Sequence, residues 1–326
     1  MSAPAIAHDG RVVIQPEAGP AVVIASPLAS RIRDAAARRR VIAATMASLH
    51  VRGHRDIDVI EAAEPEAIAE AAASAVRAGA SLVVVAGGDG SVRDAAAALA
   101  ETGITLGIVP AGAGNLYASA IGLPRRLDDA VALLAAGRVR PFDLGEVTLE
   151  GAGLLATPGA FVVACGTGFD ARLMAATTRD AKRRHGVAAY FLAAGRLLDQ
   201  LAPHPTILTI DGQRTELESV VVLVVNAGEA IPGHLRPRLP VRPDDGRLHV
   251  FVLPRGGILG GVLGVLEHMA ADAAGTSLSG AAVRLSGTHV RVEVDPPGPT
   301  EIDGDPFPAA ALDARVRPGA LRVITG

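Results

Sequence analysis

The stretch VVVAGGDGSVRDAAAALAETG, residues 83–103, joins an apolar run, a glycine-rich loop and a helix-like segment. A strand that ends in GGDG (87–90) and continues into a helix directs backbone N–H groups at whatever lies above the loop. The helix N-terminus adds partial positive charge, so phosphate is the expected ligand. Ser91, followed three residues later by Asp94, predicts a capping box for that helix. The alternative is an ordinary glycine-rich turn before a capped helix.

The near absence of lysine narrows the kinds of phosphate site. A Walker loop needs Gly-Lys-Ser/Thr, and a protein kinase needs a lysine on a strand. The chain has a single lysine, Lys182, which follows no glycine-rich loop. Both classes are therefore excluded, and Asp89 is expected to act on phosphates through a bridging Mg²⁺.

A second glycine loop follows the next predicted strand, within VPAGAGNLYASAIGLP (109–124). Strand-like runs at 21–26, 56–62, 81–86 and 105–110 alternate with helix-like segments, including one expected at 31–50. This order predicts βαβ units and a parallel sheet. Ligands bind at the carboxyl edge of such sheets, so the two glycine loops are expected to lie side by side there.

Composition limits the remaining possibilities. The 326 residues predict two domains, and aromatic residues make up only 2% of a chain that is 49% hydrophobic, so the cores must be aliphatic. The net charge is −3 and the basic residues are dispersed, which argues against a nucleic-acid partner. The single cysteine, Cys165, excludes an intramolecular disulfide and a multi-cysteine metal site. The first residues lack the pattern of a signal peptide.

The predicted secondary structure changes after Arg140. Short β-rich runs punctuated by Asp-Gly turns predict an antiparallel sandwich or barrel. These runs are 142–149, 161–165, 206–210, 219–225, 247–253 and 288–294. Two helical insertions are expected, near 169–200 and 257–273.

Several motifs together resemble one known family. GGDGS (87–91) and PAGAGNLYASAIGLP (110–124) resemble the diacylglycerol kinase catalytic domain of bacterial lipid kinases, which sphingosine and ceramide kinases share. FVVACGTGFDARLM (161–174), KRRHGVAAYF (182–191) and EIDGDPF (301–307) resemble later family segments in the expected order. The resemblance covers roughly residues 20–326.

The resemblance implies a two-domain kinase of the NAD kinase/diacylglycerol kinase-like type. An α/β domain with a parallel sheet at 1–138 would bind the nucleotide, and a β-rich, antiparallel, sandwich-like domain at 139–308 would bind lipid. A C-terminal strand at about 309–326 would return to the first domain. The cleft between the domains would be the active site.

The resemblance also implies site residues. Asp305 would accept the substrate proton, with Asp303 beside it and Asp89 in the glycine loop as further catalytic residues. Asp245, with the backbone carbonyls of Arg242 and Arg247, would hold a structural Mg²⁺. The implied nucleotide-binding residues are Ser26, Ser30, Gly87, Gly88, Asp89, Gly90, Ser91, Arg93, Gly112, Ala113, Gly114 and Asn115.

The predicted function is therefore an ATP- and Mg²⁺-dependent lipid kinase, with a diacylglycerol-like acceptor by default. We expect it to be cytoplasmic and peripheral at the membrane, touching the membrane surface transiently; a homodimer is left open. Ala113 replaces the family's threonine, Arg93 an asparagine and Asp305 a glutamate, which leaves open a catalytically weak nucleotide- or lipid-binding member. NAD kinases also carry Gly-Gly-Asp-Gly, but they have a Gly-x-Leu-Gly-Phe type segment in place of GNLYASAIGLP.

Three features have simpler readings. IDGDP (302–306), taken without the family, is typical of a β-turn with Asp-Gly at its centre. GTGFDA (166–171) matches a dinucleotide-binding pattern, but a helix-like region follows where a second strand should end in an acidic residue. Asp170 belongs to this segment, and the simpler expectation is that it braces the interdomain cleft. The basic cluster RDAKRRHG (179–186) is either a solvated helix face or a contact for an anionic membrane surface.

Overall fold

A computed structural model of the chain describes residues 5–6, 12–13, 19–151, 154–168, 203–228, 241–254, 283–307 and 311–326. The chain divides into two compact units, one made of residues 1–144 and 318–326 and the other of residues 145–317. The division after Leu144 lies a few residues beyond the boundary expected at 138/139. The expected helical insertions near 169–200 and 257–273, Asp170 and the basic cluster at 179–186 all lie outside the described residues.

The first unit contains a parallel sheet. Its strands are β3 (Ala21–Ala25), β4 (Ile57–Glu61), β5 (Leu82–Gly87) and β6 (Thr105–Pro110), after a short antiparallel pair, β1 (Ala5–Ile6) and β2 (Val12–Val13). The strand order is β4-β3-β5-β6, and every neighbouring pair is parallel. Near the C-terminus, Arg322 and Val323 pair in parallel with β6. Parallel β5 and β6 end at the same edge, which brings their glycine loops together.

Helices connect these strands: α1 (Ala35–Arg52), α2 (Pro65–Arg77), α3 (Asp89–Leu99), α4 (Leu116–Ala120) and α5 (Leu127–Ala136). Helix α1 starts later than the expected 31–50 because Asp34 is its N-cap, whose Oδ1 accepts a 2.8 Å hydrogen bond from the backbone N–H of Ala37. Residues 26–34 therefore form a longer loop after β3 than the sequence predicted.

Small aliphatic side chains fill the core of the first unit, as the low aromatic content requires. Buried valine, leucine, isoleucine and alanine side chains of the sheet pack against those of the helices. Glycine is also used at close packing contacts in this core. An added Cβ at Gly107 would lie 2.9 Å from Leu134 Cδ2 and 3.0 Å from Val84 Cγ2.

The second unit is β-rich, and antiparallel pairs connect its strands. Its strands are β7 (Arg138–Gly151), β8 (Leu154–Phe161), β9 (Ala164–Gly168), β10 (His204–Ile210), β11 (Gln213–Val225), β12 (Leu248–Pro254), β13 (Val283–Gly287), β14 (His289–Val294), β15 (Thr300–Ile302), β16 (Asp305–Phe307) and β17 (Ala311–Thr325). Strands β7 and β17 each have residues in both units.

Strand β11 changes partners along its length. Its first half pairs with β10, and after an irregularity between Ser219 and Val221 its second half pairs with β9 and β12. Such irregularities bend a strand, and here the bend accompanies the change of partner. Alternate residues such as Val222 and Val224 enter an apolar cluster with Phe161 and Leu208. In the described part of the chain, no helix has both the length and the apolar character needed to cross a membrane.

Candidate functional site

The first glycine loop passes directly from strand to helix. Strand β5 ends at Gly87, Gly88 is the extended N-cap residue, and α3 begins at Asp89. The backbone N–H of Val92 donates to the Gly88 carbonyl at 3.0 Å, which closes the first helical turn. The prediction that Ser91 caps this helix was wrong, because Ser91 already lies inside the first turn.

The two glycine loops lie side by side, as the strand order predicted. The backbone N–H groups of Ala111 and Gly112 donate to the carbonyl of Gly87 at 2.9 and 3.2 Å. A Cβ added at Gly112 would lie 2.5 Å from the Cα of Gly88, closer than real Cβ contacts come. Glycine at position 112 is therefore required by the close approach of the two backbones.

Asn115 shapes the second loop from within. Its Oδ1 accepts from the N–H of Gly112 at 2.9 Å, and its Nδ2 donates to the carbonyls of Gly112 and Pro110 at 2.8 and 3.2 Å. Its backbone adopts positive φ, 53°, which asparagine tolerates better than most residues. These contacts give Asn115 a structural role in the loop, while the neighbouring Ala113 and Gly114 are exposed.

Asp89 links the two loops. Its Oδ1 accepts a 3.0 Å hydrogen bond from the N–H of Tyr117 in α4. Burial raises the pKa of this carboxyl above its ordinary value, while backbone N–H groups of Tyr117, Leu116 and Asn115 act in the opposite direction. The carboxylate thus stands at the start of α3 and holds the first turn of α4, a contact that the sequence did not predict.

Replacing Asp89 by asparagine is expected to preserve the fold at neutral pH. Since the folded-state pKa is raised, stability due to Asp89 is present in acid and is lost as pH rises above the ordinary aspartate value of about 3.9. Asparagine has no charge to bury and can still accept from Tyr117. In the absence of ligands, thermal unfolding should therefore show Asp89→Asn at least as stable as wild type at pH 7, with the difference disappearing in acid. A lower thermal unfolding midpoint for Asp89→Asn at pH 7 would contradict this expectation. An unchanged rate of phosphate transfer would contradict the catalytic role predicted for Asp89.

Arg31, in the loop after β3, is a candidate site residue that the sequence did not predict. Ser26 is buried and its N–H donates to the carbonyl of Ala86 at 3.0 Å, whereas Ser30 is exposed. The next residue, Arg31, donates from its backbone N–H to Ala111 at 3.0 Å, and its Nη1 donates to the carbonyl of Arg125 at 2.6 Å. Its position directly after the predicted loop Ser26–Ser30 could have identified Arg31 from the sequence. Arg31 joins the loop after β3 to the second glycine loop.

An open pocket lies beside the second glycine loop and has two arginines in its lining. It encloses about 300 Å³, open solvent included, and its lining includes Arg31, Ala113, Asn115, Ser119 and Arg125. The charge of two arginines at one pocket favours an anionic ligand such as phosphate.

Arg93 has a nearer partner than a ligand phosphate. It lies on α3 with its side chain 11% exposed, and its Nε donates to Asp94 Oδ1 at 3.0 Å. A phosphate that bound Arg93 would share the guanidinium with this carboxylate. The predicted phosphate contact of Arg93 stays a prediction.

In the second unit, Asp303 lies in the tight hairpin turn between β15 and β16, and Asp305 follows that turn directly. Asp303 and Gly304 have φ of 48° and 81°, the positive values of a two-residue hairpin turn that Asp-Gly favours. The Asp303 carboxylate accepts backbone N–H groups of residues 162–164 at 2.9 to 3.0 Å. These bonds give Asp303 a structural task and leave Asp305, the partly buried first residue of β16, as the better candidate proton acceptor.

The predicted magnesium residues lie in a polar turn before β12. Asp245 Oδ1 accepts from the N–H of Arg247 at 3.0 Å, and Oδ2 lies 2.9 Å from Nε2 of His249. Arg242 pairs with Asp244 at 3.1 Å. Over the described ranges, no group of three or more His, Cys, Asp or Glu side chains is arranged to hold a metal. Mg²⁺ would therefore need carbonyl and water oxygens beside the one carboxylate of Asp245.

The GTG segment of the dinucleotide-like pattern is part of a strand. Gly166 and Gly168 lie in β9, which pairs antiparallel with β11. An added Cβ at Gly166 would lie 2.6 Å from Leu223 Cδ2, so this glycine serves packing within the second unit. The rest of the pattern lies outside the described residues.

Cys165, the neighbour of Gly166, is expected to be unreactive. It is fully buried, and burial together with the carboxylates of Glu301 and Asp303 raises the pKa of its thiol well above the ordinary value. Because the thiolate is the reactive form, the folded protein should not react with a disulfide reagent at neutral pH, whereas the urea-unfolded chain should. Equal labelling rates for the two states would contradict this burial.

Two family models match the chain. Residues 20–147 match the diacylglycerol kinase catalytic domain, and residues 163–325 match the YegS C-terminal NAD kinase beta sandwich-like domain. These matches confirm the predicted fold class, an α/β domain with parallel strands followed by a β-rich sandwich domain.

Individual relatives are more distant. An uncharacterized protein of Synechocystis sp. is 25% identical over 247 residues, which are 75% of this chain and 55% of that protein, so the chain spans about half the length of this relative. Two structures from Bacillus anthracis str. Sterne, provisionally described as a diacylglycerol kinase, superpose with a TM-score of 0.72 at 20% and 22% identity. Each superposition covers 94% of this chain and 97% of the other, and at these identities it shows the fold.

The two matched domains lie in the order that the motifs predicted and account for most of the chain. The catalytic domain contains both glycine loops, and the C-terminal domain contains the Asp-Gly hairpin. The chain belongs to the diacylglycerol kinase family.

Proposed function

We propose that this protein is an ATP-dependent lipid kinase that transfers the γ-phosphate to a lipid hydroxyl, with a diacylglycerol-like acceptor as the default. Membership of the family supports a kinase that uses an ATP-type nucleotide. The acceptor class is our inference from the family resemblance. The alternatives are a soluble kinase that phosphorylates NAD and a family member that binds nucleotide or lipid with weak turnover.

The observation that carries the proposal is the contact between the two glycine loops. Gly88 and Gly112 meet backbone to backbone at the end of β5 and β6. Such a surface lets phosphates approach main-chain N–H groups without obstruction by side chains. Arg31 and Arg125, which line the adjacent pocket, would supply the positive charge that a Walker lysine gives elsewhere.

The proposed reaction is a single displacement. The acceptor hydroxyl oxygen forms a bond to the γ-phosphorus, the bond from that phosphorus to the bridging oxygen of ADP breaks, and ADP leaves. Asp305 takes the hydroxyl proton as the new bond forms. Phosphoryl transfer needs alignment and charge neutralisation more than covalent catalysis, which suits a site with few reactive side chains.

Mg²⁺ would neutralise charge on the nucleotide phosphates, where the metal usually takes one or two carboxylates and phosphate oxygens. The Asp245 carboxylate and the backbone carbonyls of Arg242 and Arg247 would hold a second, structural Mg²⁺. Each carboxylate oxygen of Asp245 keeps acceptor capacity beyond the hydrogen bond that it already makes.

A lipid acceptor requires access to a membrane surface, so we also propose a transient peripheral contact. An increase in the rate of phosphate transfer with the area of anionic vesicle surface would support this contact.

Sedimentation at several protein concentrations would test whether the protein forms a homodimer.

Transfer of labelled phosphate from ATP, in the presence of Mg²⁺, to a panel of lipid alcohols and to NAD tests the function. Label on a lipid supports the proposal and names the acceptor. Label on NAD alone would instead support an NAD kinase, and nucleotide binding without transfer to any acceptor would indicate a binding protein.

A further inference from the structure

The proposed function leaves the buried carboxylate of Glu301 unassigned. Glu301 lies on β15, is 3% exposed, and is not among the predicted site residues. Burial of a carboxylate costs free energy unless hydrogen bonds compensate. Its Oε2 accepts a 2.7 Å hydrogen bond from the backbone N–H of Gly304. Part of the compensation therefore comes from the turn that immediately precedes Asp305.

Two carboxylates hold this turn from different directions. The Asp303 side chain binds backbone N–H groups of residues 162–164, and the Glu301 side chain binds the N–H of Gly304. Ile302 and Asp305 face each other across the hairpin. The backbone on the N-terminal side of Asp305 is thus fixed at two successive residues.

The Glu301 side chain lies beside Gly166 of the neighbouring strand. Gly166 pairs with Glu301 across β9 and β15, and a Cβ added at Gly166 would lie 3.5 Å from Glu301 Oε1. The same Cβ would lie 2.6 Å from Leu223 Cδ2. The absence of a Cβ at position 166 is therefore required by Leu223, while the Glu301 carboxylate lies at an ordinary van der Waals distance from the same point.

The turn does not need Glu301 in order to form. Asp-Gly favours a two-residue hairpin by itself, because both residues accept positive φ readily. The hydrogen bond to Gly304 is therefore better explained by the exact placement of the turn than by its formation.

We propose that Glu301 is a positioning residue that holds the Asp303–Gly304 turn so that Asp305 can accept the proton of the acceptor hydroxyl. This inference rests on the proposed function. In this role, Glu301 acts through the backbone of Gly304 and not directly on the reacting atoms.

Two variants of the 326-residue chain test this role. Glu301→Met has similar length and no acceptor oxygen, whereas Glu301→Gln keeps an oxygen that can accept from Gly304. The control variant is Glu216→Ala, because Glu216 is an exposed glutamate on β11. We measure amide hydrogen exchange at Gly304 and Asp305, and kcat and KM for ATP. Both measurements are repeated for the same variants in an Asp305→Asn background.

We expect Glu301→Met to speed exchange at Gly304 and to lower kcat about 10- to 100-fold, since small misplacements of a reacting group have effects of this size. KM for ATP should stay near the wild-type value, and Glu301→Gln should restore most of kcat. In the Asp305→Asn background, Glu301→Met should cause no further loss.

Unchanged exchange at Gly304 in Glu301→Met would overturn the proposal. An equal loss of kcat in the Asp305→Asn background would also overturn it, because Glu301 would then act independently of Asp305. Absence of phosphate transfer by the wild-type protein would contradict the proposed function alone, and the exchange comparison would still decide whether Glu301 holds the turn.

Discussion

Asp305→Asn is expected to lower kcat for phosphate transfer by about 100- to 10,000-fold, the range typical of a lost general base. Asparagine keeps the size of aspartate but cannot take the hydroxyl proton. The fold should persist, because Asp303 and Glu301 each make hydrogen bonds that hold the hairpin. Nucleotide affinity should change little, since no predicted nucleotide-binding residue is altered.

Steady-state transfer of label from ATP, together with thermal unfolding of the same preparation, checks this prediction. Asp58→Asn is the matched control, because Asp58 is an exposed aspartate on β4 with no predicted role. Wild-type turnover in Asp305→Asn would remove Asp305 from the mechanism. A large loss of thermal stability would instead assign the residue a structural role.

Gly112→Ala is expected to weaken nucleotide binding about 10- to 100-fold, because forced overpacking costs about 1–3 kcal/mol. The new Cβ would lie 2.5 Å from the Cα of Gly88 and 2.9 Å from Asn115 Oδ1. The nearest atom belongs to backbone, so the two glycine loops must separate to admit the methyl group. Separation would misplace the N–H groups that we expect to face phosphate.

Calorimetric titration with a non-hydrolysable ATP analogue and Mg²⁺ measures the effect. Gly88→Ala should do less harm, because its Cβ would lie 3.3 Å from the Cα of Gly112, which a small shift relieves. Gly298→Ala is the control, with its nearest contact at 3.7 Å from Thr167 Oγ1. Wild-type affinity in a folded Gly112→Ala variant would show that the nucleotide does not bind at these loops.

Local sequence patterns predicted the glycine loops well. The strands before them matched within a residue, since continuous apolar runs such as 82–86 identify buried parallel strands. The helix start was wrong at Ser91 because Gly88 is extended enough to act as N-cap and α3 begins at once. Helix ends depend on the backbone conformation of one or two residues, which composition predicts poorly.

The sequence alone predicted the parallel α/β unit, the β-rich unit and the place of the Asp-Gly turn, because these follow from periodicity and from glycine spacing along the chain. Its motifs predicted the family by their resemblance to known members. Only the tertiary structure decided which carboxylates hold backbone. Asp89 binds the N–H of Tyr117, Asp303 binds residues 162–164, and Glu301 binds Gly304 from a buried strand. The partners of Asp89 and Asp303 are distant in the chain, so no local pattern records them. They meet because strand order and core packing bring these backbone groups together.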